Sequence, residues 1–154
     1  TTFFYPFIAN HTGDLASITV EVASASSGVT HDLGIYSVSN GFPTTLIGKA
    51  NIDVGTTGIK TQTTLSATIS LTKGEMYWLG WSRATGSGNS TLQCVEDLAS
   101  TGASFGLGIE NVYGFSSESC GCFFLNSSGA LPSSVTLADL DIDNKDFPHV
   151  GLLW

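Results

Sequence analysis

Positive charge is scarce in this chain. Four lysines and one arginine stand against thirteen acidic residues, a net charge of −8 over 154 residues. Neutralising phosphates takes clustered Lys and Arg, and no cluster exists, so no nucleic-acid partner is expected. Docking on an anionic membrane is disfavoured for the same reason. Long apolar runs are missing too. None reaches the roughly 18 residues that cross a bilayer as a helix, so no membrane insertion is expected. Charged residues of both signs make up only 12%, about half the usual share. Gly, Ser and Thr fill much of the remainder, which suits an extracellular or virion protein better than a cytosolic enzyme. Cysteine is rare and odd in number: Cys94, Cys120 and Cys122. An odd count excludes full pairing within one chain. It leaves open a disulfide from Cys94 to Cys120 or Cys122, or three small, partly buried side chains. Cys-x-Cys is not the usual zinc-knuckle spacing, so no thiolate metal site is expected.

Catalytic signatures are missing as well. There is no G-x-S-x-G nucleophile elbow. His11 and His31 stand in turn-like contexts and His149 follows a proline. Nothing ties any of them to a particular Ser and Asp, so satisfied or exposed structural histidines are expected. The densest acidic stretch runs from Asp139 to Asp146. Its alternation puts Asp139, Asp141 and Asp143 on one face of a strand or around a loop, a candidate calcium site. It departs from the EF-hand pattern, with Asn144 where Gly belongs and Val150 where the bidentate Glu should be. The competing reading is a solvated acidic turn that blunts an edge strand. No cofactor is expected. Asn10, Asn89 and Asn126 open glycosylation sequons, which matter only in a eukaryotic secretory pathway.

What is present is alternation. Hydrophobic residues reach 42%, enough for one core, and period 2 dominates over helical periodicity. Thr1 to Phe7 reads as a strand, and the chain is expected to be a processed form or a piece of a longer one. Ile18, Val20 and Val22 alternate with Thr19 and Glu21. A turn at Ser26 to Gly28 precedes Leu33 and Ile35. Leu46 to Val54 and Gly58 to Leu71 are further strands. Lys73-Gly74 makes a hairpin-like turn into Met76 to Trp81, which is apolar on both faces. Such a strand lies centrally in a sandwich or at a subunit interface. Gly86 to Asn89 is a turn, and Leu92 to Ala99 leans towards strand. Ser100 to Gly129 is Gly/Ser-rich and irregular, and Val150 to Trp154 closes as a strand. Eight to ten short strands in one domain, residues 1–154, predict an all-β fold: an antiparallel β-sandwich, jelly-roll-like.

Sugar sites combine aromatic surfaces with planar polar groups. Trp81 with Arg83 offers that combination, as does Tyr113 with Glu110 and Asn111. Core or interface packing is the competing reading for Trp81. Tyr113 and Phe115 lie among glycines, where the backbone permits close approach of a partner.

Leu33 to Pro43, LGIYSVSNGFP, is the most telling stretch. A β-prone run meets Ser39-Asn40-Gly41, which tolerates positive φ, and Phe42-Pro43 is expected to stop the strand. It stands in order with FFYPF (Phe3 to Phe7), ITVEV (Ile18 to Val22), TTGIK (Thr56 to Lys60), LTKGEMYWLGW (Leu71 to Trp81), ALP (Ala130 to Pro132) and FPHVGLLW (Phe147 to Trp154). This series resembles the β-sandwich domain at the C-terminal end of tailed-bacteriophage virion proteins, mostly tail-fibre or tail-tip proteins. Members open with tyrosine-proline-phenylalanine, carry a GIYS…NG.P strand and turn and a G.YWLA strand, and end on an apolar strand after a proline. The resemblance spans nearly the whole chain except about Gly86 to Gly129. Lys73-Gly74 departs from the family's Pro-Gly turn, and Ser100 to Gly129 has no counterpart.

The resemblance implies a non-enzymatic structural protein on the virion surface, at the tail rather than the head. It implies a homotrimer that contacts other virion proteins and a host cell-surface glycan or protein. Adhesion would be multivalent, with weak sites gaining avidity together. It brings no catalytic residues. The expected contacts are Trp81, Arg83, Asn111, Tyr113 and Phe115. Two alternatives stand beside it: a capsid-decorating, head-fibre or assembly protein acting through Met76 to Trp81 and Leu152 to Trp154, and a glycan-degrading virion enzyme. Depolymerising tail spikes are usually repeat-built β-helices, and no such repeats occur here.

Overall fold

Alternating apolar and polar residues fold most of the chain into antiparallel strands. The computed structural model describes residues 1–92, 94–95, 122–125, 129–143, 147–148 and 150–154. In chain order the strands are β1 (Thr2–Ile8), β2 (Gly13–Asp14), β3 (Ser17–Ser24), β4 (Thr30–Ser39), β5 (Phe42–Asp53), β6 (Gly58–Gln62) and β7 (Ser70–Leu71). Then follow β8 (Met76–Thr85), β9 (Thr91–Leu92), β10 (Cys94–Val95), β11 (Cys122–Leu125), β12 (Asp141–Asp143), β13 (Phe147–Pro148) and β14 (Val150–Leu153). One 3-10 turn spans Leu137–Asp139.

A six-stranded sheet has the order β12-β11-β1-β8-β4-β5. A second sheet runs β14-β3-β6, with β9 also pairing β3. Among the described residues all strand pairings are antiparallel. Between the sheets, Tyr5, Leu33, Ile35, Ala50, Ile52 and Leu79 of the large sheet meet Ile18, Val20, Val22 and Leu92 of the small one. This is the antiparallel β-sandwich that the alternation predicts.

The large sheet is covered on its other face as well. Phe4, Tyr36 and Trp78 point outward from β1, β4 and β8 and form a second core with Leu131 and Val135. The segment 129–140 thus lies as a strap across the outer face. Gly34 of β4 and Gly80 of β8 are directly paired and leave a notch there. A Cβ on Gly34 would stand 2.7 Å from Leu131 Cδ1, and one on Gly80 would stand 2.6 Å from the Tyr36 ring. Leu131 fills the notch. Its backbone N–H donates to Asp32 at 3.2 Å, and the Tyr36 hydroxyl donates to the Pro132 carbonyl at 2.6 Å. Leu46 N–H donates to Ser133 and Val135 N–H to Thr44, which seats the strap along β5. Asp32 is fully buried. It also accepts from Lys49 Nζ at 2.5 Å and Asn51 Nδ2 at 2.7 Å.

Several details differ from the sequence-based expectation. Phe42-Pro43 begins β5 and does not stop a strand. Asn40 and Gly41 take φ of 51° and 85° and Ser39 pairs with Phe42, the two-residue hairpin geometry that Asn-Gly favours. Pro43 is tolerated because β5 is the outermost strand of its sheet. Gly58 to Leu71 is not one strand. β6 joins the β3 sheet, then Leu65 bridges to Ala50 in the other sheet, and β7 pairs with β2. Lys73-Gly74 is a turn, with Gly74 at φ 87°, but it closes no hairpin, because β8 pairs with β1 and β4. Met76 to Trp81 lies centrally in its sheet, and this chain's own strap packs on Trp78 at its outer face. In the acidic stretch Asp139 ends the 3-10 turn, and β12 starts at Asp141. β9 and β10 occupy the start of Leu92 to Ala99; its remainder, most of Ser100 to Gly129, and the cysteine pairing lie outside the described residues and side chains.

Breaking the buried carboxylate cluster leaves Lys49 and the strap without their acceptor. Asp32→Ala is expected to lower urea-unfolding stability by about 3 kcal/mol, and Gly80→Val by about 2 kcal/mol through overpacking of the notch. An Asp32→Ala midpoint equal to wild type would show that the strap is not anchored there.

Candidate functional site

Trp81 and Arg83 stand two residues apart on β8, so they share a strand face. β8 runs between β1 and β4, with Phe3 opposite Trp81 on one side and His31 opposite Arg83 on the other. The Trp81 ring is flanked from both sides. Phe3 lies at 5.6 Å between centroids, and His31 is stacked at 5.7 Å. The indole N–H donates to His31 Nδ1 at 2.6 Å. An indole N–H only donates, so Nδ1 carries a lone pair and the neutral ring holds its proton on Nε2. That nitrogen faces Ser90 Oγ at 2.8 Å.

The connection from β8 to β9 brings Ser90 into place. A Cβ on Gly88 would collide with Ser26 Oγ, so the connection lies directly on the chain before β4. Arg83 Nη1 donates to the Gly88 carbonyl at 3.1 Å. Arg83 is exposed, and among the described residues no carboxylate pairs with it. Burial, followed by the Arg83 charge, holds His31 down to about 4, against a smaller opposing pull from Asp32. Burial and the Asp32 charge push the Tyr36 hydroxyl well above its usual range.

His31 and Ser90 are wired against nucleophilic catalysis. A general base must present a lone pair to the serine and donate from its other nitrogen. Here the indole takes the lone pair, and the proton points at the hydroxyl. The arrangement braces a surface: Trp81 is locked at both sides and at its N–H, and Arg83 projects beside it.

The structure therefore brings together two expected contacts, Trp81 and Arg83. Asn111, Tyr113 and Phe115 lie outside the described residues, as do Glu110 and His149. Asp139 is exposed and accepts from the Thr136 hydroxyl. Among the described residues no group of three His, Cys, Asp or Glu is placed to hold a metal ion. His31 and Ser90 were not anticipated as part of a site. His31 sits in strand β4 and not in a turn, and its alternation with Leu33 and Ile35 is the signal that places it on the core face. Among the described residues no helix is long and apolar enough to cross a membrane. No family model matches this chain, and neither a curated protein nor a solved structure does.

Two measurements probe this network. Trp81→Phe keeps the ring and removes the donor to His31; it is expected to cost about 1–2 kcal/mol in chemical denaturation. The pH dependence follows from the lowered His31 value. The unfolded chain protonates near 6.5 and the folded one near 4, so this group lowers stability as pH falls through that window and adds nothing above it. Unfolding near pH 5 should take up close to one proton that His31→Gln does not. Parallel stability–pH slopes for the two proteins would contradict the buried neutral ring.

Proposed function

We propose that this chain is a bacteriophage virion structural domain, a tail-fibre or receptor-binding module that adheres to the host surface without catalysis. The observation that carries the reading is the exposed Arg83 beside the braced Trp81 at one end of a β-sandwich. A cationic fork held by fixed neighbours contacts carboxylate-bearing or hydroxyl-rich surface glycans with little ordering cost. The motifs of the phage resemblance fall on β1, β3, β6, β8, β13, β14 and the β4–β5 hairpin, which are scaffold elements, and on the strap. A homotrimer would present three such ends together, and avidity would turn weak contacts into attachment.

Ile59 favours a second reading. It is 73% exposed on β6, an apolar contact suited to assembly in a capsid-decorating or head-fibre protein.

Light scattering and an array of bacterial-surface polysaccharides test the proposal. The domain is expected to run as a trimer and to bind at least one polysaccharide. Arg83→Ala should weaken that binding at least tenfold with unchanged thermal stability. Equal binding by the variant would reject Arg83 as a contact. Localisation to the capsid of assembled particles would favour the second reading, and release of reducing ends from the array would replace adhesion with hydrolysis.

A further inference from the structure

We propose that His31 is an acid-released latch at the Arg83 end of the sandwich: neutral, it ties Trp81 to the connection before β9, and protonated, it is repelled by the indole N–H and turns, carrying Nε2 off Ser90. This deepens the adhesion reading and rests on it for its functional meaning. Bond direction carries the inference. The Trp81 indole N–H reaches Nδ1 at 2.6 Å, and Ser90 Oγ lies 2.8 Å from Nε2. One neutral tautomer satisfies both. An imidazolium has protons on both nitrogens, so Nδ1–H would oppose the indole N–H. His31 is 4% exposed, and water cannot rescue that clash without opening the site.

The surrounding charges act in the same direction. Arg83 is directly opposite His31 across the β4–β8 pair, and like charges facing each other there destabilise the pair. Asp32 favours the charged ring, but it lies on the other face of β4 and already accepts from Lys49, Asn51 and Leu131. The remaining described neighbours carry no charge: Ile52 opposite on β5, Trp81 on β8 and Ser90 in the connection. Burial and Arg83 hold the ring neutral down to about pH 4, so the latch stays closed where an ordinary histidine has already charged. Its release matters because Arg83 leans on the same connection through the Gly88 carbonyl. Once the charged ring turns away from the indole, Ser90 loses its tie to Nε2 and the connection no longer supports the guanidinium.

Nuclear magnetic resonance of the whole chain from pH 7 to 3.5 reads the latch without a ligand. At pH 7, His31 should be protonated at Nε2 alone. Near pH 4 the Trp81 indole signal and the amides of residues 86–90 should shift in one step while the Ile35 amide stays protected. His31→Gln should abolish the step. Ser90→Ala, which leaves the Trp81 contact in place, should loosen those amides already at pH 7. Titration of His31 near 6.5 with an unmoved indole would overturn the latch, as would an identical step in His31→Gln. The polysaccharide array, read at pH 7 and pH 4, separates the two claims. Weaker binding at pH 4 in the wild type alone supports both. The NMR step with no binding at either pH keeps the latch and rejects the adhesion reading.

Discussion

A carboxylate cut off from water must find donors, and Asp32 finds three: the Lys49 ammonium, the Asn51 amide and the Leu131 backbone N–H. Two of these come from the neighbouring strand and one from a segment remote in sequence. That third bond distinguishes this sandwich from a bare pair of sheets. It pulls the chain at Leu131 onto the outer face, where Gly34 and Gly80 leave room and Tyr36 reaches the Pro132 carbonyl. The central strand β8 is consequently buried on both faces, by the second sheet on one side and by the strap on the other. A buried charge is weak evidence of net stability, because its desolvation offsets much of its attraction. What the carboxylate does here is tie the strap to β4 through the Leu131 N–H.

The same strand carries the candidate site. β8 enters the core as Trp78 and Leu79, turns half-buried at Trp81 and emerges at Arg83. The strap and the inter-sheet core hold its buried length, and His31 and Ser90 hold its emerging end. An adhesive contact built this way would lose little freedom on binding, which is the physical appeal of placing function at the end of a rigid strand. The phage-virion reading remains a proposal resting on that geometry and on the order of the scaffold motifs.

Much of the fold was legible in the sequence. Alternation located β3 and β4, apolar runs located β8 and β14, and Ser39-Asn40-Gly41 announced a turn, though not the hairpin into β5, because Phe42-Pro43 reads as a strand stop. Gly58 to Leu71 was misread because Leu65, Ala67, Ile69 and Leu71 keep a perfect period 2. Periodicity does not record that the chain leaves the β3 sheet after Gln62 and reaches the other sheet by Leu65. The strap was not legible at all. Leu131 and Val135 follow no strand period, and their notch is made by two glycines distant in sequence that signify nothing until β4 and β8 pair. Of the site, Trp81 and Arg83 were visible as an aromatic beside a cation. The role of His31 was hidden because its partners, an indole two strand positions away on β8 and a serine beyond the next turn, meet only in three dimensions.

Native-state hydrogen exchange at the Leu131 amide tests the central claim most directly. With that N–H held by a buried carboxylate beneath a packed strap, its exchange should require an opening as costly as that of the β4 core amides. Exchange at the rate of an exposed loop, with β4 still protected, would show that the strap is loosely laid and that Asp32 does not organise the outer face.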